Sequence, residues 1–244
     1  MPILRDFRLH PEHTPEEAVL QKIMTENKCS YIEACQIEYK ENAWDILALF
    51  NKQSRYIVAL YCRFFEKEKY KTEDCKMIVI HFLKQITDTR ILNCDGIYEI
   101  QIQYDYNDFF KLAEDDKKRK ILDLLKEGLD KIIEEKQWDK KPFDEAYKKV
   151  IEVDYVNEWY CKKALRNPTK EYKAAVFCEH KKDVCDITII IMNKKGDEIR
   201  RKKVLSLLPH ELVYESYLGK LKWISDDTVV LMNRFENEQW EVKI

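Results

Sequence analysis

The segment from Glu114 to Trp138 carries the strongest periodic pattern in the chain. Its apolar residues recur every three or four positions and so fall on one side of a helix, while Lys, Glu and Asp fill the other side. Three acids, Glu114, Asp115 and Asp116, stand at the start, where the helix dipole favours negative charge. The pattern predicts a long amphipathic helix that must cover an apolar surface made by other elements. Its predicted core stripe comprises Ile121, Leu124, Leu125, Leu129, Ile132 and Ile133.

Two shorter helices are predicted near the N-terminus. The stretches 14–17 and 30–33 each have the form of a capping box, in which a Thr or Ser is followed three positions later by Glu. They predict helices that run to about Glu26 and about Lys40.

The middle of the chain is less regular. The stretches RYIVALYCRFF and CKMIVIHFL are rich in β-branched and aromatic residues, which favours two strands joined by a charged loop, although the first stretch also fits a helical face. The sequence NCDG, 93–96, predicts a tight turn because Asp-Gly tolerates positive φ angles. The strand after it should place Tyr98, Ile100 and Ile102 on one face and Ile97, Glu99 and Gln101 on the other.

After Trp138 the pattern changes from helical to alternating. The breaker DKKP, 139–142, suggests a boundary between a helix-rich α+β half, 1–139, and a mainly β half, 140–244, although one compact domain would also fit. A helix from Pro142 to about Val153 should point Phe143, Ala146, Tyr147, Val150 and Ile151 inward. A six-stranded antiparallel meander should follow it. The predicted fold class is therefore α+β. The predicted strands are 173–180, 184–193, 198–206, 218–224, 228–234 and 239–244.

The composition argues against several classes of function. With 43 basic and 45 acidic residues the formal charge is −2, which gives no long-range attraction to nucleic acid or to an anionic membrane. Only 4 Gly are present in 244 residues, so a Gly-rich phosphate loop is not expected. No export signal or membrane-spanning run is evident, which predicts a cytoplasmic protein whose 8 cysteines are reduced thiols.

Two groups of potential metal ligands stand out, and neither is expected to bind metal. Cys178, His180 and Cys185 lie in one hairpin, where a turn centred on 181–182 would place the two cysteines opposite each other, but no fourth zinc ligand is near them in sequence. The simpler interpretation is two apolar cysteines in strands and a solvated histidine in a loop. His10 and His13, in HPEH, could ligate a metal, but a segment ahead of a helix start is more often just exposed.

One weak catalytic pattern lies at the C-terminus. An acid pair, Asp226 and Asp227, precedes a strand, and Glu241 and Lys243 lie on the next one, as in the PD-(D/E)xK pattern of metal-dependent nucleases. No Pro precedes the acids, and the chain ends one residue after Lys243, where that fold continues into a helix. Alternation explains the same residues as a polar outer face, with Trp240, Val242 and Ile244 pointing inward.

The predicted function follows by elimination. With no catalytic residues, cofactor or metal expected, the chain fits a cytoplasmic protein-binding module, in particular a bacterial toxin-neutralising protein of the immunity type. Its partner would be a protein, for instance a basic toxin, with neither a membrane nor nucleic acid involved. The alternatives are a divalent-metal nuclease that uses Asp227, Glu241 and Lys243, and a nucleic-acid-binding or regulatory protein. The candidate partner contacts are the acidic residues Glu114, Asp115, Asp116, Asp226 and Asp227.

Overall fold

The computed structural model describes residues 1–244, which form two compact units. The first comprises Met1–Tyr155 and the second Val156–Ile244. Both helices and sheets are present, so the α+β class is confirmed. None of the helices combines the length and the apolar character needed to cross a membrane.

A four-stranded mixed sheet organises the first unit. Its strands are β1 (Asp6–Pro11), β2 (Met77–Leu83), β3 (Leu92–Cys94) and β4 (Ile97–Gln103), and their order across the sheet is β1-β2-β4-β3. The first three in that order are parallel, and β3 is antiparallel to β4. The predicted turn joins β3 to β4, with positive φ at both Asp95 and Gly96.

Helices cover one face of this sheet and leave the other face open. The covered face is apolar and carries Phe7 and Leu9 of β1, Ile78 and Ile80 of β2, and Ile100 of β4. Two long helices, α3 (Trp44–Phe65) and α5 (Glu114–Lys136), pack against it. The remaining helices of this unit are α1 (Glu17–Asn27), α2 (Tyr31–Glu38), α4 (Tyr106–Phe110) and α6 (Lys141–Glu152).

The strand predicted for RYIVALYCRFF, 55–65, is wrong, because this stretch lies in the helix α3; the alternative of a helical face is confirmed. Every residue from Tyr56 to Tyr61 is buried, so this stretch has no polar side to reveal a helical period. Buried on all sides, it consists of the β-branched and aromatic residues that are also typical of strands. The second predicted strand, CKMIVIHFL, is confirmed as β2.

Helices α1 and α2 form a pair with its own small apolar cluster around Leu20, Ile23 and Ala34. The predicted capping box at Thr14 is wrong, since α1 begins after Glu16 without a side-chain cap. The capping box at Ser30 is confirmed. The Ser30 hydroxyl accepts a hydrogen bond from the Glu33 amide, and the Glu33 carboxylate accepts one from the Ser30 amide. A π-helical turn, Tyr39–Ala43, continues α2 into α3.

The predicted stripe of α5 is buried in full. Helix α6 packs on α3 and adds Phe143, Ala146 and Val150 to the same core, while Ile151 is 46% exposed and not inward as predicted. Residues 140–155 therefore belong to the first compact unit, and the division lies at Tyr155 rather than at Asp139.

The second unit contains the six predicted strands, but they do not form one meander. The strands β7 (Tyr172–His180), β8 (Cys185–Asn193) and β9 (Glu198–Leu207) make one sheet together with the short strands β5 (Glu158–Tyr160) and β6 (Leu165–Arg166), which both pair with β7. The strands β10 (Leu221–Trp223), β11 (Thr228–Met232) and β12 (Gln239–Lys243) make a separate sheet. The connection from β9 to β10 contains the short helix α7 (Glu211–Tyr214), so these two strands are not joined by a hairpin.

The hairpin of β7 and β8 differs from the predicted register. His180 pairs with Cys185 and Cys178 pairs with Ile187, so the two cysteines do not face each other. The reason is a four-residue loop, 181–184, closed by a hydrogen bond from the Lys181 amide to the Val184 carbonyl. Both cysteines are buried as expected, but His180 is buried as well, with Nε2 3.0 Å from the carbonyl oxygen of Pro209. The prediction of a solvated loop histidine is therefore wrong.

Candidate functional site

The most distinctive polar groups of the first unit gather where its parallel strands end. In a parallel sheet the carboxyl ends of the strands point to one edge, where ligands commonly bind. Here Glu12 and His13 follow β1, Lys84 follows β2, and Tyr106 lies shortly after β4. These residues line a pocket of about 380 Å³, which we call the edge pocket. Its remaining lining residues are Thr14, Glu16, Val19, Glu38, Asn42 and Asn107.

His13 ties three elements together at this pocket. Its Nε2 lies 2.7 Å from the Glu38 carboxylate at the end of α2, and its Nδ1 lies 2.7 Å from the Tyr106 hydroxyl in α4. A carboxylate only accepts, so in the neutral ring Nε2 donates to Glu38 and Nδ1 accepts from Tyr106. Only 12% of the His13 side chain is exposed, contrary to the exposure predicted for it. Because both ring nitrogens are hydrogen-bonded, His13 links α2 to α4 in the wall of the pocket.

An exposed aromatic pair borders the edge pocket. Tyr39 is the first residue of the π-helical turn and Trp44 directly follows it, and their ring centroids are 6.2 Å apart. The Tyr39 ring also contacts the ring of His13, with centroids 6.3 Å apart. Trp44 is 59% exposed and Tyr39 is 40% exposed. π-Helical turns inside longer helices occur frequently at functional sites.

A second polar cluster lies on the open face of the same sheet. Residues 6, 8, 10 and 12 alternate with the buried side chains of β1, so His10 and Glu12 share the open face. The parallel register places His10 directly beside His81 of β2, with ring centroids 5.3 Å apart. Glu12 Oε1 lies 2.7 Å from His81 Nδ1, and Glu99 Oε2 of β4 lies 3.6 Å from His81 Nε2. The ligand atoms of His10, Glu12 and His81 all lie within 4.8 Å of one another.

The environment of this cluster is partly shielded from solvent. The loop 84–91 crosses the sheet here, since the Thr87 and Asp88 amides donate to the Gln101 side-chain oxygen at 2.8 and 3.0 Å. Between this loop and the sheet is a pocket of about 140 Å³, lined by Glu12, His81, Arg90 and Glu99 among others. His10 is exposed, but the sheet and its neighbours still desolvate part of the ring, and this lowers its pKa. The nearby carboxylates of Glu12 and Glu99 oppose the effect, and the His81 ring reinforces it.

The acidic residues predicted as partner contacts lie in both units. At the start of α5, Glu114 and Asp115 form ion pairs with Lys117 and Lys118 one turn further on, at 3.1 and 2.8 Å. In the second unit, Asp226 and Asp227 lie in the turn between β10 and β11, and Asp226 is exposed. None of these five acids lines the edge pocket.

The residues of the nuclease pattern lie on one side of the sheet formed by β10, β11 and β12. Thr228 pairs with Lys243, and the Lys243 ammonium lies 3.1 Å from the Asp227 carboxylate. Hydrogen bonds from the Ser225 and Thr228 hydroxyls, together with Lys243, lower the pKa of Asp227 to about 2. Val242 is buried as predicted, and the Glu241 carboxylate accepts from Gln239 at 3.1 Å. The nuclease stays a prediction.

The chain is thus an α+β protein. The mixed sheet of its first unit has helices on one face, and its two polar clusters lie at one edge and on the open face. Comparisons with protein-family models, with curated proteins and with solved structures found no match to this chain.

Proposed function

We propose that this protein is a non-catalytic binding module that captures a basic segment of a protein partner at the edge pocket. The observation that carries the proposal is the exposed pair of Tyr39 and Trp44 beside a pocket with three carboxylates. Toxin neutralisation, with a basic toxin as partner, is the specific form of this role that the sequence favours.

The aromatic pair supplies the apolar part of the proposed surface. Exposed Trp and Tyr side chains are over-represented among the residues that contribute most to protein interfaces. Trp44 and Tyr39 also pack on each other, which limits the rotamer freedom that a partner would otherwise have to restrict. A face of this kind can bind an aliphatic stem or stack on a guanidinium group.

The pocket supplies complementary charge. Glu12, Glu16 and Glu38 face one lysine, Lys84, and the histidine that is bonded to Glu38. A lysine or arginine side chain of the partner would therefore enter a negative pocket while its stem crosses Tyr39 and Trp44. Such complementarity raises the association rate and makes it depend on salt.

A fluorescent arginine-rich peptide of twelve residues is a direct probe of this surface. We expect it to bind the wild-type protein, measured by anisotropy, with an affinity that falls as salt rises. Trp44→Ser should weaken binding about 30-fold or more, because an interface anchor contributes at least about 2 kcal/mol. Glu16→Gln should weaken binding less and should reduce the salt dependence.

Matched controls come from exposed residues of α6 and α5. Ile151→Ser and Glu135→Gln change the same types of side chain outside the edge pocket and should bind like the wild type. Equal binding by wild type, Trp44→Ser and Glu16→Gln would contradict the proposal. In host cells, a photo-crosslinking residue at position 44 should capture a basic protein that the same residue at position 151 does not.

A further inference from the structure

The open face of the first sheet carries a set of side chains that a solvated sheet surface does not require. His10 and His81 come from neighbouring strands and are held side by side by the β1–β2 register. Glu12 follows two residues after His10 and lies against the same His81 ring. Two imidazoles and one carboxylate thus converge from two strands.

We propose that His10, Glu12 and His81 bind a divalent transition-metal ion, with Zn²⁺ as the preferred ion. Two histidines and one glutamate are a recurrent set of protein ligands for zinc sites that keep a further position for water or a ligand. Imidazole nitrogen selects zinc and its transition-metal neighbours, whereas Mg²⁺ and Ca²⁺ prefer oxygen ligands alone.

The geometry needs only small side-chain movements. Bonds of about 2.0–2.2 Å in a tetrahedral site place ligand atoms roughly 3.3–3.5 Å apart. The three ligand atoms here lie within 4.8 Å of one another, and Glu12 Oε1 and His81 Nδ1 are 2.7 Å apart. A metal ion would therefore replace the proton between Glu12 and His81, and the exposed His10 side chain would move toward it.

The far side of the His81 ring supports this assignment. Its Nε2 is buried and has no hydrogen-bond partner, and the nearest carboxylate oxygen, on Glu99, is 3.6 Å away. In a neutral ring whose Nδ1 donates to Glu12, Nε2 carries no proton. Its lone pair then points toward the Glu99 carboxylate, which is unfavourable. A metal ion on Nδ1 moves the ring proton to Nε2, where it can be donated to Glu99. Metal-binding histidines commonly make this outer contact to a carboxylate.

The remaining coordination position has space beside it. The 140 Å³ pocket is lined by Glu12 and His81 on the sheet and by Arg90 from the end of the crossing loop. The Arg90 guanidinium is held by the Asp88 carboxylate, with its closest contact at 2.6 Å. Water or a small ligand on the metal would therefore lie near the Arg90 guanidinium.

The test is a titration of purified, chelator-treated protein with Zn²⁺ and with Co²⁺, after the accessible thiols have been alkylated. We expect one equivalent of Zn²⁺ by calorimetry, a visible Co²⁺ absorption that Zn²⁺ displaces, and no displacement by excess Mg²⁺. His10→Gln should weaken binding by more than 100-fold and leave the thermal melt of the metal-free protein unchanged, because His10 is exposed. Glu99→Gln should keep the stoichiometry and weaken binding about 10–100-fold, as expected for an outer contact.

Two control variants test whether other histidines and acids contribute to Zn²⁺ binding. Glu16→Gln removes a carboxylate of the edge pocket, and His210→Asn keeps an acceptor at the start of α7, so both should bind Zn²⁺ like the wild type. A wild-type protein that binds no stoichiometric Zn²⁺ would overturn the proposal and leave His81 as a side chain that is hydrogen-bonded to Glu12 alone. Unchanged binding in His10→Gln would overturn it as well. Since the peptide probe depends on Trp44 and Glu16, failure of either proposal leaves the other testable.

Discussion

Asp186 in β8 is a buried carboxylate that three side chains of the second unit hold in place. It is buried, accepts from the Ser206 hydroxyl at 2.6 Å, and pairs with Lys203 and Lys181 at 3.2 and 3.3 Å. Burial by itself would raise the pKa of Asp186, but the hydrogen bonds from Ser206, Lys203 and Lys181 outweigh it and lower the pKa below its ordinary value. The ionised carboxylate is therefore stabilising in the folded state.

We expect Asp186→Asn to lower the free energy of unfolding by about 1–3 kcal/mol at pH 7, because hydrogen bonds to a charged group are lost. The pKa of Asp186 is lower in the folded than in the unfolded state, where it is about 3.9. The stabilisation is thus complete above the unfolded pKa and is lost as the pH falls through the folded pKa. Urea unfolding from pH 7 to pH 3 measures this. The difference from wild type should shrink toward pH 3, while the exposed Asp226→Asn should differ little at any pH.

The stripe of α5 gives a prediction at the scale of the element. Leu125 and Ile132 are fully buried in the first core, so Leu125→Ala and Ile132→Ala should each cost about 2–5 kcal/mol in denaturant unfolding. Ile151→Ala, on the exposed side of α6, should cost less than about 0.5 kcal/mol. Costs near zero at Leu125 and Ile132 would contradict the packing of α5 on the sheet.

The absence of a side chain at Gly128 allows α5 to pack closely on β2. A Cβ atom at this position would lie 2.6–2.7 Å from three side-chain atoms of the buried Ile80. Alanine improves the intrinsic helix propensity by about 1 kcal/mol, but overpacking costs typically 1–3 kcal/mol, so Gly128→Ala should be destabilising on balance. Thermal melts should show a partial recovery when Ile80→Val is added. A Gly128→Ala protein that is more stable than wild type would mean that the helix can move away from the sheet.

The elements that could be predicted are those that bury one side only. Helix α5 and strand β4 each have one polar and one apolar face, so their periods of about 3.6 and 2 are visible in the sequence. The buried stretch of α3 has no polar side, and its period is lost. The six C-terminal strands were recognisable by alternation, but alternation does not say which strand pairs with which, and so the division into two sheets was missed.

The open-face cluster could not be predicted for a related reason. His10 and His81 are brought together by a parallel pairing across a long sequence separation, and no local motif encodes that register. One signal was available: His81 interrupts the otherwise apolar stretch MIVIHFL, at a position where the open face of a strand would lie. The five acids predicted as partner contacts form two clusters along the sequence, but a cluster of acids on a surface does not show that they converge on a pocket.

At the scale of the whole molecule, the two units have separate cores. The first core contains residues from Leu4 to Val150 and the second contains residues from Ala174 to Val242. We expect the fragment 1–155 to fold by itself, with a cooperative urea transition followed by circular dichroism. The fragment 1–139 should be much less stable, because it lacks Phe143, Ala146 and Val150, which pack in the first core. Similar stabilities for the two fragments would contradict the assignment of α6 to the first unit.

The parallel pairing of β1 with β2 also sets an order of events during synthesis. Asp6 pairs with Met77, so β1 can join the sheet only after roughly 70 further residues have left the ribosome and the loop between the strands has closed. Until then Phe7 and Leu9 have no strand beside them, while α1, α2 and α3 depend on local contacts and can begin to form. The nascent chain should therefore become resistant to proteolysis late and in one step, when β2 and β4 emerge, and β1 is an apolar strand that a chaperone could bind until then.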